Sequence, residues 1–257
     1  MRRSPIRSLL PIAALALASA CNPAWAGTVV PCGGNCTWSV DADGVEVASG
    51  AYSVDPESGN ITFQVPSSID LGGGAWASLK NMTGNADPIL GFNVSAGTGS
   101  VGKTFAFNFD LPIALSGPIV ATSSVSYSLT SLTSAGAQID PLAGHVVVAQ
   151  EVDSTLGGLS ALNKGVDVGP RFFFVGGPQT VNSPVYMASS TLTGDLAYDL
   201  MSVTIGFSLS PDSKVGASGF VQQLPAPVPL PAALPLLMSA LGLLGVVRRR
   251  RRLAEAA

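Results

Sequence analysis

The chain has 257 residues, of which 11% are charged, with 29 glycines and 19 prolines. Its thirteen basic residues are unevenly placed: Arg2, Arg3, Arg7 and Arg248 through Arg252 hold eight, while residues 27–224 carry five against fifteen acidic side chains. A middle section with a net charge of about −10 repels phosphate backbones, which argues against nucleic acid as a partner.

The first 26 residues read as a secretory signal. Arg2, Arg3 and Arg7 form a positive leader, residues 8–20 are an apolar run too short to span a bilayer comfortably, and Ala24-Trp25-Ala26 is a small-x-small site. That pattern predicts cleavage between Ala26 and Gly27. Two alternatives stand beside it. Residues 8–20 also fit a short buried core segment. Leu17-Ala18-Ser19-Ala20-Cys21 resembles a degenerate lipobox, which implies lipidation of Cys21, although Ala18 stands where such motifs carry Leu. After cleavage at Ala26, Cys32 and Cys36 remain, an even count in an oxidising compartment. Cys32-Gly33-Gly34-Asn35-Cys36 favours a local disulfide over a metal site, since no further ligands sit nearby.

Residues 27–221 alternate like strands. Phe105, Phe107 and Phe109 skip every second position, as do Val203, Ile205, Phe207 and Leu209. Val125, Tyr127 and Leu129 alternate with serines, and Ile61, Phe63 and Val65 with Thr62 and Gln64. Residues 145–152 and 171–175 read as buried strands. The best helical candidate is residues 154–163. Turn residues punctuate the run at Gly72-Gly73-Gly74, Asp87-Pro88, Asp140-Pro141, Gly157-Gly158 and Gly176-Gly177. The expected fold is an all-β sandwich of jelly-roll type, followed by a Pro-rich linker at 222–227.

Several motifs invite chemistry. Gly97-Thr98-Gly99-Ser100-Val101-Gly102-Lys103-Thr104 matches a phosphate-binding loop, but such a loop needs a following helix, and an aromatic strand follows here. A Gly/Ser turn is the expected reading. Asp41-Ala42-Asp43-Gly44-Val45-Glu46 offers carboxylates for calcium, whereas Asp43-Gly44 is also a hairpin turn signal. Glu151 with Asp153 and Asp195 with Asp199 fit a solvated face better than acid–base pairs. His145 is the only histidine, and no G-x-S-x-G elbow accompanies it, so a serine hydrolase has little support. No catalytic residue, metal or cofactor is expected. Trp38, Trp76 and Tyr52 are either sugar-stacking rings or core.

Residues 228–247 are twenty uncharged positions, about 30 Å as a helix, and Arg248, Arg249, Arg250, Arg251 and Arg252 follow as a positive-inside stop. Pro229, Pro231 and Pro235 resist helix in the first third. Val228-Pro229-Leu230-Pro231-Ala232, the apolar stretch after it and the arginine cluster together resemble the VPLPA variant of the PEP-CTERM sorting signal (residues 228–252). The motif lacks the Glu of the commonest form. The resemblance implies recognition and removal of the tail by an exosortase-type membrane protease, with delivery to the cell surface or matrix beside exopolysaccharide. An uncleaved transmembrane anchor is the alternative. Asn85-Ala86-Asp87-Pro88 with residues 89–95, 105–112 and 202–212 is similar to domains carried by such proteins. The expectation is an exported, non-catalytic cell-surface or extracellular protein, and the alternative is a lectin-like carbohydrate-binding module, with or without calcium.

Overall fold

The computed structural model describes residues 37–54, 61–63, 68–85, 88–156, 159–164, 166–192 and 197–226. The signal with Ala26 and Gly27, Cys21, Cys32, Cys36, the motif at 228–232 and the cluster at 248–252 lie outside the described residues. Among the described residues no helix is long and apolar enough to cross a membrane.

All regular structure described is β. The strands are β1 (Thr37–Ala42), β2 (Val45–Val54), β3 (Ile61–Phe63), β4 (Ile69–Gly72), β5 (Ala75–Asn85), β6 (Ile89–Gly97), β7 (Lys103–Ser116) and β8 (Ile119–Ser131). They continue with β9 (Ala137–Asp140), β10 (Ala149–Leu156), β11 (Leu159–Lys164), β12 (Phe173–Val175), β13 (Thr180–Asn182), β14 (Tyr186–Leu192), β15 (Ala197–Leu209) and β16 (Ser213–Pro225). They form two antiparallel sheets. Sheet 1 runs β11-β10-β15-β7-β1-β2-β3, with β9 beside β15 and β12 beside β9. Sheet 2 runs β13-β8-β16-β6-β5-β4, with β14 continuing the line of β13 along β8.

Period-2 patterning builds the core between the sheets. In β7 the rings of Phe105, Phe107 and Phe109 are buried, while Ala106, Asn108 and Asp110 are half-buried on the other face. Phe207 of the neighbouring β15 packs at 5.8 Å from Phe105 and 6.2 Å from Phe107, centroid to centroid. Leu90, Phe92 and Val94 of β6 and Val125, Tyr127 and Leu129 of β8 join the same cluster from sheet 2. Each such side chain contributes about 1.5–3 kcal/mol on burial, the sandwich's main source of stability.

Four sequence expectations need correction. Residues 154–163 are not helical: Ser154 pairs with Asn163 and Leu156 with Leu159, as β10 turns into β11. An isolated helix of ten residues is marginal, whereas the strand satisfies its backbone along β15. The strand expected at 145–152 starts only at Ala149, because Val148 N–H donates to Pro170 O (2.7 Å) in an irregular stretch. The strand expected at 171–175 is Phe173–Val175, and Phe172 and Phe174 are 61% and 53% exposed rather than buried. The linker expected from 222 is strand as far as Pro225, since β16 stays paired with β8 down to Ile119.

Candidate functional site

The two outer faces differ in how their polar groups are used. On sheet 1 they bond one another across strands. Asn108 Nδ2 donates to Asp41 Oδ2 (2.7 Å) and Ser39 Oγ (3.1 Å), and Thr204 Oγ1 donates to Asn108 Oδ1 (2.8 Å). Ser202 Oγ and Thr37 Oγ1 donate to the two Asp110 carboxylate oxygens, at 2.6 and 3.3 Å. That ladder consumes its own donors and acceptors, so it offers little to a ligand.

Sheet 2 carries a shallow groove of about 410 Å³ on its outer face. Its floor and walls come from three neighbouring long strands: Asn93 of β6, Gly216 and Ser218 of β16, and Ser126 and Ser128 of β8. Strand alternation puts them there. In β8, Val125, Tyr127 and Leu129 point into the core, so Ser126 and Ser128 must point out. Register then lines up Lys80, Asn93, Ser218 and Ser126 in one row across four strands. The next row is Ser78, Ser95, Gly216, Ser128 and Asn182.

The groove's third side is the break between β13 and β14. Pro184 has no N–H for the ladder, and Ser183 bridges the gap. Its Oγ accepts from Tyr127 N (2.9 Å) and donates to Pro184 O (2.8 Å), and its N donates to Tyr127 O (2.8 Å). Val185, 66% exposed, adds an apolar wall. Ser126 and Ser218 hydroxyls touch at 3.3 Å. The side chains of Asn93, Ser128 and Asn182 bond no described residue, and the buried Ser95 Oγ beside Gly216 has no partner among them. Nothing lies within 4 Å of where a Gly216 Cβ would stand, so the floor is open. Uncharged donors and acceptors around an open floor match a ligand rich in hydroxyls.

The singled-out motifs resolve differently. Trp38 and Tyr52 are core, 2% and 5% exposed, so neither is a stacking ring. The Tyr52 hydroxyl donates to Asp110 O, and burial, with the Asp110 charge second, raises its pKa far above the physiological range. Trp76 lies half-buried on the outer face of sheet 2, where its indole covers Gly97. Residues 97–104 link β6 to β7 as a turn. Thr98 N donates to Ser213 O (2.9 Å), Thr98 Oγ1 donates to Ser210 O (2.6 Å), and Lys103 Nζ is 2.7 Å from Asp43 Oδ2. The loop's groups are spent on the fold, not on phosphate.

Asp43-Gly44 is the β1–β2 turn, with φ of 52° and 76°, the left-handed pair that a two-residue hairpin loop requires. Asp43 also accepts from Thr104 N (3.0 Å), and the Lys103 hydrogen bond foremost lowers its carboxyl below the usual carboxylate range. Asp41 binds Asn108 and Glu46 Oε1 accepts from Ser49 Oγ (2.6 Å). The three carboxylates of the calcium alternative, Asp41, Asp43 and Glu46, are thus directed to protein partners. Among the described residues no group of three or more His, Cys, Asp or Glu stands together. His145 is half-buried in the connection after β9, its N–H donating to Leu142 O (3.0 Å). Glu151 and Asp153 sit at β10 positions opposite Thr204 and Ser202.

The groove residues Ser126, Ser128, Asn182, Gly216 and Ser218 were not among the sequence candidates. Their only signal is the serine alternation, which reads as ordinary strand surface until β6, β16 and β8 are laid side by side.

No protein-family model matches the chain, and no curated protein is similar to it. Among solved structures, one match is a carbohydrate-binding module, TmCBM61, determined in complex with β-1,4-galactotriose. It is 12% identical, with 59% of this chain and 88% of that one covered and a TM-score of 0.25. A likeness that slight carries no argument.

Proposed function

We propose that this chain is an exported, non-catalytic surface or extracellular-matrix protein that holds exopolysaccharide along the outer face of sheet 2. The observation that carries the reading is the groove over Gly216, ringed by Asn93, Ser126, Ser128, Asn182 and Ser218 and lined by no histidine or carboxylate. A polysaccharide presents many hydroxyls and few apolar faces. A neutral row of side-chain amides and hydroxyls matches that surface at little desolvation cost. We read the chain's crossings between sheets, at β3–β4, β6–β7, β7–β8, β8–β9, β12–β13, β14–β15 and β15–β16, as a jelly-roll-like path.

The two ends supply the route. The leader ending at Ala26 directs export. The tail at 228–252 engages an exosortase-type membrane protease, holds the membrane until processed, and is then removed. Two measurements test the proposal on protein recovered from the cell surface. Mass spectrometry is expected to find chains starting at Gly27 and lacking Arg248 through Arg252. Affinity electrophoresis through gels containing exopolysaccharide from the producing cells is expected to retard the protein. An intact arginine tail on the mature protein refutes the processing, and migration unaffected by polymer refutes the binding.

A further inference from the structure

The geometry points to an acidic polysaccharide, bearing carboxylate or sulfate groups, as the occupant of the sheet 2 face, with Lys80 and Lys214 as its charge contacts. This rests on the proposed polysaccharide reading and narrows it. Residues 27–224 are strongly acidic, yet charge is unequally shared between the sheets: of the eleven described acidic residues, seven (Asp41, Glu46, Asp110, Asp140, Glu151, Asp153 and Asp199) lie on strands of sheet 1. On sheet 2 the five strand lines β5, β6, β16, β8 and β13–β14 carry no Asp or Glu at a described position. The exceptions nearby are Asp70 on the edge strand β4, whose Oδ1 accepts from Gly72 N (2.9 Å), and Asp212 in the turn before β16.

Sheet 2 also holds two of the five basic residues of that region. Lys80 is exposed on β5, in the row with Asn93, Ser218 and Ser126. Lys214 is exposed on β16, in the row with Gly97 and Thr130. They are two strands and four residues apart, roughly 17 Å at the usual sheet spacings, with Asn93 and Gly216 between them. Lys103, by contrast, is held by Asp43. Lysines often guard sheet edges against mispairing. That role does not explain Lys214, because β16 lies between β8 and β6. At Lys80, β5 is paired with β6 alone among the described residues, since β4 reaches only as far as Ala77, so edge protection is open to Lys80 and the single replacements must separate the two roles.

Magnitudes decide whether the acidic sheet 1 cancels the effect. Packed sheets lie about 10 Å apart, and screening at physiological salt acts over about 8 Å. A polymer seated on the outer face of sheet 2 therefore meets the two ammonium groups at contact. The carboxylates of sheet 1 lie more than one screening length behind the core. Local charge complementarity outweighs the net charge of the domain.

The test uses the mature protein, with polygalacturonate and its carboxyl-reduced neutral form as matched probes. At about 0.15 M salt the acidic polymer is expected to bind at least ~10-fold more tightly, and the preference is expected to shrink to within ~3-fold at about 0.5 M salt. Joint replacement Lys80→Gln and Lys214→Gln is expected to abolish the preference, bringing the affinity of the acidic polymer down to that of the reduced polymer for the same variant. Lys103→Gln serves as a control and is expected to keep it. Equal binding of the two polymers, or a preference that survives the double replacement, overturns this inference and leaves the polysaccharide reading standing. No binding of either polymer, together with no retardation by the producing cells' own exopolysaccharide, overturns both.

Discussion

Filling the groove floor without disturbing the fold is the sharpest test of the site, and Gly216→Ile does so. Gly216 lies in the interior of β16, outside the left-handed region, and a Cβ there meets nothing within 4 Å. A glycine inside a strand costs about 0.5–1 kcal/mol relative to a residue with a Cβ, and a β-branched replacement fits a pleated surface well. The variant is therefore expected to gain about 0.5–1 kcal/mol, or roughly 1–4 °C in Tm for a domain of this size. The isoleucine side chain would rise between Ser95 and Ser128, where the polymer is proposed to lie. Polysaccharide affinity is expected to fall at least ~10-fold, a loss of ~1.4 kcal/mol. Gly216→Ala shares the gain in stability but leaves the floor open, so its affinity is expected to stay within ~3-fold. Thermal unfolding followed by circular dichroism and affinity electrophoresis measure the two quantities on the same samples. An isoleucine variant with raised Tm and undiminished binding would remove the groove from the function. A Tm lowered by several degrees would refute the open-floor geometry itself.

Three further outcomes test the packing and electrostatics. Gly219→Ala, three residues along the same strand, is expected to destabilise by roughly 1–3 kcal/mol, because its Cβ would stand 1.9 Å from Ser124 O, a backbone atom that cannot swing aside; urea denaturation measures this, and an unchanged midpoint would refute it. Gln223 is fully buried with neither amide atom bonded among the described residues, so Gln223→Met is expected to raise stability by about 1–3 kcal/mol, read as a higher denaturation midpoint. Asp43→Asn keeps a residue that tolerates the positive φ of the turn but removes the ion pair with Lys103, at an expected cost of at most ~1 kcal/mol for so exposed a pair. The folded-state pKa of Asp43 is depressed, so its contribution is present above the unfolded carboxylate range and is lost as pH falls below about 4. The asparagine variant is accordingly expected to lose less stability than the parent between neutral pH and that acid limb. An equal loss in both proteins would show the pair to be immaterial.

Local signals carried far in this chain. The all-β class follows from period-2 runs such as Phe105, Phe107 and Phe109, whose burial in β7 matches the alternation residue by residue. The Asp43-Gly44 hairpin and the breaks at Gly72-Gly73-Gly74 and Gly176-Gly177 follow from residues that tolerate positive φ. The reading failed where neighbours in space overrule local preference. Residues 154–163 became strand because β10 pairs with β15 as far as Thr155 and β11 pairs with β10. Phe172 precedes the pairing with β9, which begins at Phe173, and Phe174 faces solvent because strand alternation turns it away from the side that buries Val175.

What the residues alone determined about this protein is its strand patterning and its turns, because those depend on neighbours within a few positions. The tertiary structure decided which polar residues meet. Asn93, Ser126, Asn182 and Gly216 are scattered over more than a hundred positions, and antiparallel register gathers them on one face. It also decided that, among the described residues, the long strands of sheet 2 carry Lys80 and Lys214 but no carboxylate, while seven carboxylates lie on strands of sheet 1, an arrangement that no sum of charges along the chain can reveal.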